Sequence, residues 1–153
     1  MRAELIVSAL ALTLAGCVPV SNHRHHAPEV SGTLARNGVP VADAEVILTS
    51  RFYETTATGR SDADGRFRLG PLSERRLTRS VIGDPLYAYA LSIRVEGEKE
   101  YPGLSGHGTG DAPERLQVTC DLGRPVGQGQ SLRYCSHDRS AQSDGPAAGT
   151  PGR

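Results

Sequence analysis

Between Glu29 and Leu72 the chain alternates apolar and polar residues with a period of two, and each run is soon cut by a turn former. A period of two is the repeat of a strand with one buried face; a helix repeats at 3.6 and would scatter these residues around its surface. Val30, Gly32 and Leu34 share one face while Ser31, Thr33 and Ala35 share the other. Asn37-Gly38-Val39-Pro40 then interrupts with a turn residue and a proline of fixed φ. Ala44, Val46 and Leu48 resume the pattern against Glu45, Ile47 and Thr49, and this strand ends near Ser50. The β-branched stretch Thr55 to Ser61 suits another strand. Asp62-Ala63-Asp64-Gly65 closes a tight hairpin in which Gly65 supplies positive φ and the aspartates accept N–H groups of the turn. Beyond it Phe67 and Leu69 point inward and Arg66 and Arg68 outward. Together these pieces predict the opening of an all-β, antiparallel β-sandwich.

The remainder is expected to complete it. Leu77 to Ile82 reads as a short strand or an irregular excursion. Leu86 to Val95 is the clearest later strand and should be central, with Tyr87, Tyr89, Leu91, Ile93 and Val95 on one face. Glu96-Gly97-Glu98-Lys99 turns the chain, and Tyr101 to Pro113, rich in Gly and Pro, reads as a long irregular loop. Leu116, Val118 and Cys120 form one face of a closing strand, followed by a glycine-rich connection and an extended piece at Leu132 and Tyr134. Ser136 to Arg153 has no pattern and is expected to be disordered. With 153 residues, no Trp, two Phe and five Tyr, the chain supplies one modest core. A domain of this kind calls for a covalent staple.

The first sixteen residues have the layout of a secretory signal: Arg2, an apolar run from Leu5 to Leu14, then small residues. The run is well short of the roughly 20 residues that span a bilayer as a helix. Leu14-Ala15-Gly16-Cys17 resembles the lipobox of bacterial lipoproteins, which implies cleavage before Cys17 and acylation of its sulfur. Val18 stands where lipoproteins held at the inner membrane usually carry Asp, so the resemblance favours the outer membrane. Residues 17–28 are then expected to be a flexible tether. His23, His25 and His26 within it are either solvated linker residues or ligands for Cu or Zn ions. Removing Cys17 from the count leaves Cys120 and Cys135, an even pair that in an exported protein most simply forms a disulfide; the alternative is a two-thiol metal site.

Three blocks, Val30-Ser31-Gly32-Thr33-Leu34, Gly38 through Val46, and Ser61-Asp62-Ala63-Asp64-Gly65-Arg66-Phe67, resemble carboxypeptidase regulatory-like domains of the transthyretin-like superfamily. The resemblance covers the first half of residues 29–135 and implies a Greek-key sandwich of about seven strands. Asp43 replaces a Gly usual in that family, and Asp is among the few other residues that enter the left-handed region at modest cost. The hydroxyisourate hydrolases of the superfamily end in Tyr-Arg-Gly-Ser, whereas this chain ends Thr150-Pro151-Gly152-Arg153.

Other constellations carry less. Asp62 and Asp64 open like a calcium loop, but the later ligands are missing. Ser105 and His107 lie near one another without the strand-to-helix elbow that activates a nucleophile. A net charge of zero provides no field for nucleic acid. No cofactor is implied. The sequence predicts a non-catalytic envelope lipoprotein, held to the membrane by its anchor, whose domain is a structural or protein-interaction module that meets an envelope protein through sheet edges or the Tyr101 to Pro113 segment. The alternatives are metal binding through the histidines and carbohydrate binding, against which the lack of Trp argues.

Overall fold

The computed structural model describes residues 22–76, 85–127 and 132–137. Within them the chain is all-β, without a helix. The strands are β1 (Asn22–Ala27), β2 (Glu29–Arg36), β3 (Val39–Pro40), β4 (Glu45–Ser50), β5 (Thr55–Arg60), β6 (Arg66–Leu69), β7 (Leu72–Arg76), β8 (Leu86–Arg94), β9 (Tyr101–Thr109), β10 (Arg115–Asp121) and β11 (Cys135–His137).

One sheet runs β5-β4-β8-β9, antiparallel throughout. A second runs β11-β10-β2, and β2 also pairs with β6 and, at its end, with β3. A third is the antiparallel pair β1–β7. β1 enters β2 through Pro28, which has no N–H to donate, and β6 enters β7 through Gly70 and Pro71, joined by a cis peptide bond. The β1–β7 ladder therefore continues the β2–β6 ladder beyond a break. A Cβ on Gly70 would lie 2.6 Å from the Pro28 carbonyl oxygen, so the two connections pass one another only because Gly stands there. The sheets enclose one core in a sandwich-like arrangement, with Val30, Leu34, Val46, Leu48, Phe67, Leu91, Ile93 and Val118 buried in it. These are the residues that the period-two pattern points inward.

Eleven strands are described against the seven or so expected, because the two strands of one ladder are each broken in two and β3 and β11 are very short. The expectation of a purely antiparallel fold is corrected at β10, which runs parallel to β2 from Arg115↔Glu29 to Asp121↔Ala35. This register sets Leu116, Val118 and Cys120 level with Val30, Gly32 and Leu34. Gly32 permits the approach, since a Cβ there would lie 2.1 Å from the Val118 carbonyl oxygen.

Two further expectations are corrected. Asn22–Ala27, placed in the flexible tether, is a strand on β7, with His26 and Ala27 buried. Its sequence, Asn-His-Arg-His-His-Ala, has no apolar alternation, so pairing rather than pattern makes it a strand. Tyr101–Thr109, expected to be irregular, is a strand of nine residues. Its glycines are tolerated because aromatic rings of β8 fill the space: a Cβ on Gly106 would lie 2.5 Å from the Tyr89 ring, and one on Gly108 2.7 Å from the Tyr87 hydroxyl. The signal segment, Cys17, Leu77 to Ile82 and the tail beyond His137 lie outside the described residues.

The turns follow their residue chemistry. Asn37 and Gly38 both have positive φ between β2 and β3, and Asp43 has φ +56, a left-handed conformation that Asp enters at modest cost. Asp62 accepts the N–H groups of Asp64 and Arg66 at 2.9 and 2.8 Å, a turn role rather than a cation's.

Candidate functional site

Alternation fixes the two faces of the β5-β4-β8-β9 sheet. Val46, Leu48 and Ser50 of β4 and Tyr89, Leu91 and Ile93 of β8 face the core. Thr49, Arg51, Ala88, Ala90 and Ser92 therefore face outward, and so do Ser105 and His107 of β9, both exposed. Small side chains on the middle strand leave this outer face hollow. Two adjoining depressions of about 400 and 350 Å³ share Arg51, Ala90, Leu91 and Pro102 as lining. Thr49, Ser92 and Glu100 complete the first; Ser105, Leu132 and Arg133, with Gly103 and Leu104, complete the second.

The charges at this groove are unequal. Glu100 takes hydrogen bonds from the Ser92 hydroxyl and the Arg94 guanidinium, which hold its carboxyl below the usual carboxylate range, and Arg94 also bridges to Glu45 at 3.0 Å. Arg51 and Arg133, like Arg60 and Arg124, have no ion pair among the described residues, whereas Arg36, Arg68 and Arg115 each have one and Arg94 has two. The groove thus presents two uncompensated guanidinium groups beside an apolar floor. Next to Arg51, Phe52 at the tip of the β4–β5 turn is 57 % exposed.

The groove opens onto a sheet edge that is unpaired among the described residues. The Gly110 N–H donates to the Pro85 carbonyl directly opposite, at 2.7 Å. This sets the phase of the ladder, because hydrogen-bonded and non-hydrogen-bonded pairs alternate in antiparallel sheets. Gly108, Gly106 and Leu104 thus bond to β8, and Ser105, His107 and Thr109 turn their main-chain groups the other way. The same phase is required by the Arg51 N–H donating to the Ala88 carbonyl across β4–β8. None of the three outward-facing residues has a partner on its far side among the described residues. At the start of β9 the far side is taken, since the Tyr134 N–H donates to the Pro102 carbonyl at 2.8 Å.

The residues singled out in the sequence are dispersed. Cys120 and Cys135 form a disulfide, joining β10 to β11. His23 pairs in the β1 backbone opposite Arg75. His26 is 3 % exposed and stacks on Tyr53 with ring centroids 4.3 Å apart, so a metal would have to draw it out of that stack. The Nδ1 atoms of His25 and His26 and the Ser50 hydroxyl are buried without hydrogen-bond partners among the described residues. Among the described residues no three His, Cys, Asp or Glu side chains gather as a metal site. Arg24 anchors the 110–112 segment to β1, donating to the Gly110 carbonyl at 3.1 Å and lying 3.4 Å from the Asp111 carboxylate. Ser105 and His107 lie two residues apart on one strand, and among the described residues no hydrogen bond joins them and no third group orients the imidazole. Sequence reasoning missed Arg51 and Arg133, because nothing local marks two arginines 82 positions apart in the numbering as neighbours. Comparison with family models, with curated proteins and with solved structures gives no match.

Proposed function

We propose that the chain is a non-catalytic, membrane-anchored envelope lipoprotein whose β-sandwich, of the transthyretin-like Greek-key type, serves as a protein-interaction module. The observation that carries the module reading is the open edge of β9 beside a hollow outer face, because exposed main-chain donors and acceptors are a template for another strand. Export is supported by the Cys120–Cys135 disulfide, a bond that persists in oxidising compartments. Anchoring is supported by the lipobox resemblance at Leu14 to Cys17. The fold type is supported by where the three resembling blocks fall: in β2, across β3 into β4, and through the turn into β6.

The test has two arms. Cells fed a palmitate analogue should label the wild-type chain and leave Cys17→Ala unlabelled; label on the variant would remove the anchor. A photocrosslinker at His107 should capture an envelope protein in intact cells, while one at Arg68, on β6 of the other sheet, should not. No adduct from His107 would remove the module.

A further inference from the structure

We infer that the edge of β9 takes an extended peptide ending in a free C-terminal carboxylate, laid antiparallel to β9 with that carboxylate between Arg51 and Arg133. The inference rests on the interaction-module reading and names its partner class. Three observations lead to it. Ser105, His107 and Thr109 offer three N–H and three C=O groups on a stretch that contains no Lys, no Pro and no charge, the usual guards of an exposed edge. At ~3.4 Å per residue this length suits a guest of about five residues. Among the described residues the edge is closed at one end only: Tyr134 already occupies the far side of Pro102, so a guest strand must stop beside Ser105.

What stands at that stop is cationic. The crevice of about 350 Å³ there holds Arg51 and Arg133, neither of which has an acidic partner among the described residues. An antiparallel guest brings its C terminus to this point, where the carboxylate meets both. A parallel guest would bring its ammonium terminus against like charge. Leu132 and Pro102 line the same crevice, so the last side chain of the guest is apolar. Main-chain pairing with terminal-carboxylate capture is a recurrent combination in peptide recognition, the first giving affinity and the second fixing register.

The test uses the full-length chain and a random hexapeptide library displayed with free C termini. Selected peptides, resynthesised as carboxamides, should bind at least ~10-fold more weakly, the worth of a charge-assisted contact. The double variant Arg51→Gln/Arg133→Gln should bind acid and amide alike. His107→Pro removes an N–H that points away from β8 and should abolish binding while leaving the circular dichroism unchanged; Thr109→Pro serves the same end should the first variant not fold. Without any variant, peptide should slow amide exchange at Ser105, His107 and Thr109. Equal binding of acid and amide, undiminished binding by a folded proline variant, failure to select any peptide, or a peptide-independent dimer through this edge in sedimentation would each overturn the inference. Capture from His107 in cells would then still stand for the module, so the two readings fail separately.

Discussion

His26 shows how one side chain couples a strand to solution conditions. Its ring lies buried against Tyr53, its Nδ1 has no partner, and burial pushes its pKa below 6.5; Glu74 opposes the shift, while Arg24 and His25 add to it. The folded chain therefore holds the ring neutral where the unfolded chain would already protonate it. Stability is complete above about pH 6.5 and declines as pH falls from there toward the lower folded value. His26→Phe keeps a ring on Tyr53 and removes both the titration and the unpaired nitrogen. Urea midpoints for the variant should be flatter than wild type from about pH 7 to about pH 5, and no lower at pH 7. A parallel pH profile would show that His26 is not the titrating group. Tyr89 is different: burial pushes its phenol up to about 12, so it stays neutral across that range and acts as a filler over Gly106.

Among the elements, those legible in the sequence are the ones whose own side chains carry the periodicity. β2, β4, β6, β8 and β10 each place large apolar residues on one face, and each lies close to where the pattern put it. β1 and β9 are strands by virtue of their neighbours. A Gly-x-Gly stretch has no hydrophobic repeat, and the rings that complete it sit on β8, where they read as that strand's own core residues. The signal that would have found β9 is complementarity of size, with Gly106 and Gly108 opposite Tyr89 and Tyr87. β11 is a third case: three residues cannot hold themselves to an edge, and the Cys120–Cys135 bond does so. A cross-link over a sequence separation of 15 should stabilise the fold by roughly 3 kcal/mol. Denaturant melts with and without reductant should differ by about that amount, and an unchanged midpoint would show that β11 docks without the bond.

At the scale of the whole molecule, the first described strand starts at Asn22, with four residues between it and Cys17. The five steps from Cys17 to Asn22 reach at most ~18 Å, so an acylated Cys17 would hold the sandwich close to the membrane rather than on a long leash. Spacer and domain are separable by experiment. A Gly/Ser segment inserted after Cys17 should leave the denaturation midpoint unchanged. Deleting Asn22–Ala27 should lower stability by about 2 kcal/mol or more, because it uncovers core that Ala27 and His26 close. Equal midpoints for both would return those residues to the tether. What the residues determined unaided was local: β-structure from a period of two, turns from Asn-Gly and Asp-x-Asp-Gly, the inward faces of five strands and the pairing of the last two cysteines. The parallel docking of β10 on β2, the strands β1 and β9, and the meeting of Arg51 with Arg133 were decided by the tertiary structure alone. Each depends on which backbone lies alongside, and main-chain pairing is nearly blind to side-chain identity, so a linear pattern has no means of recording it.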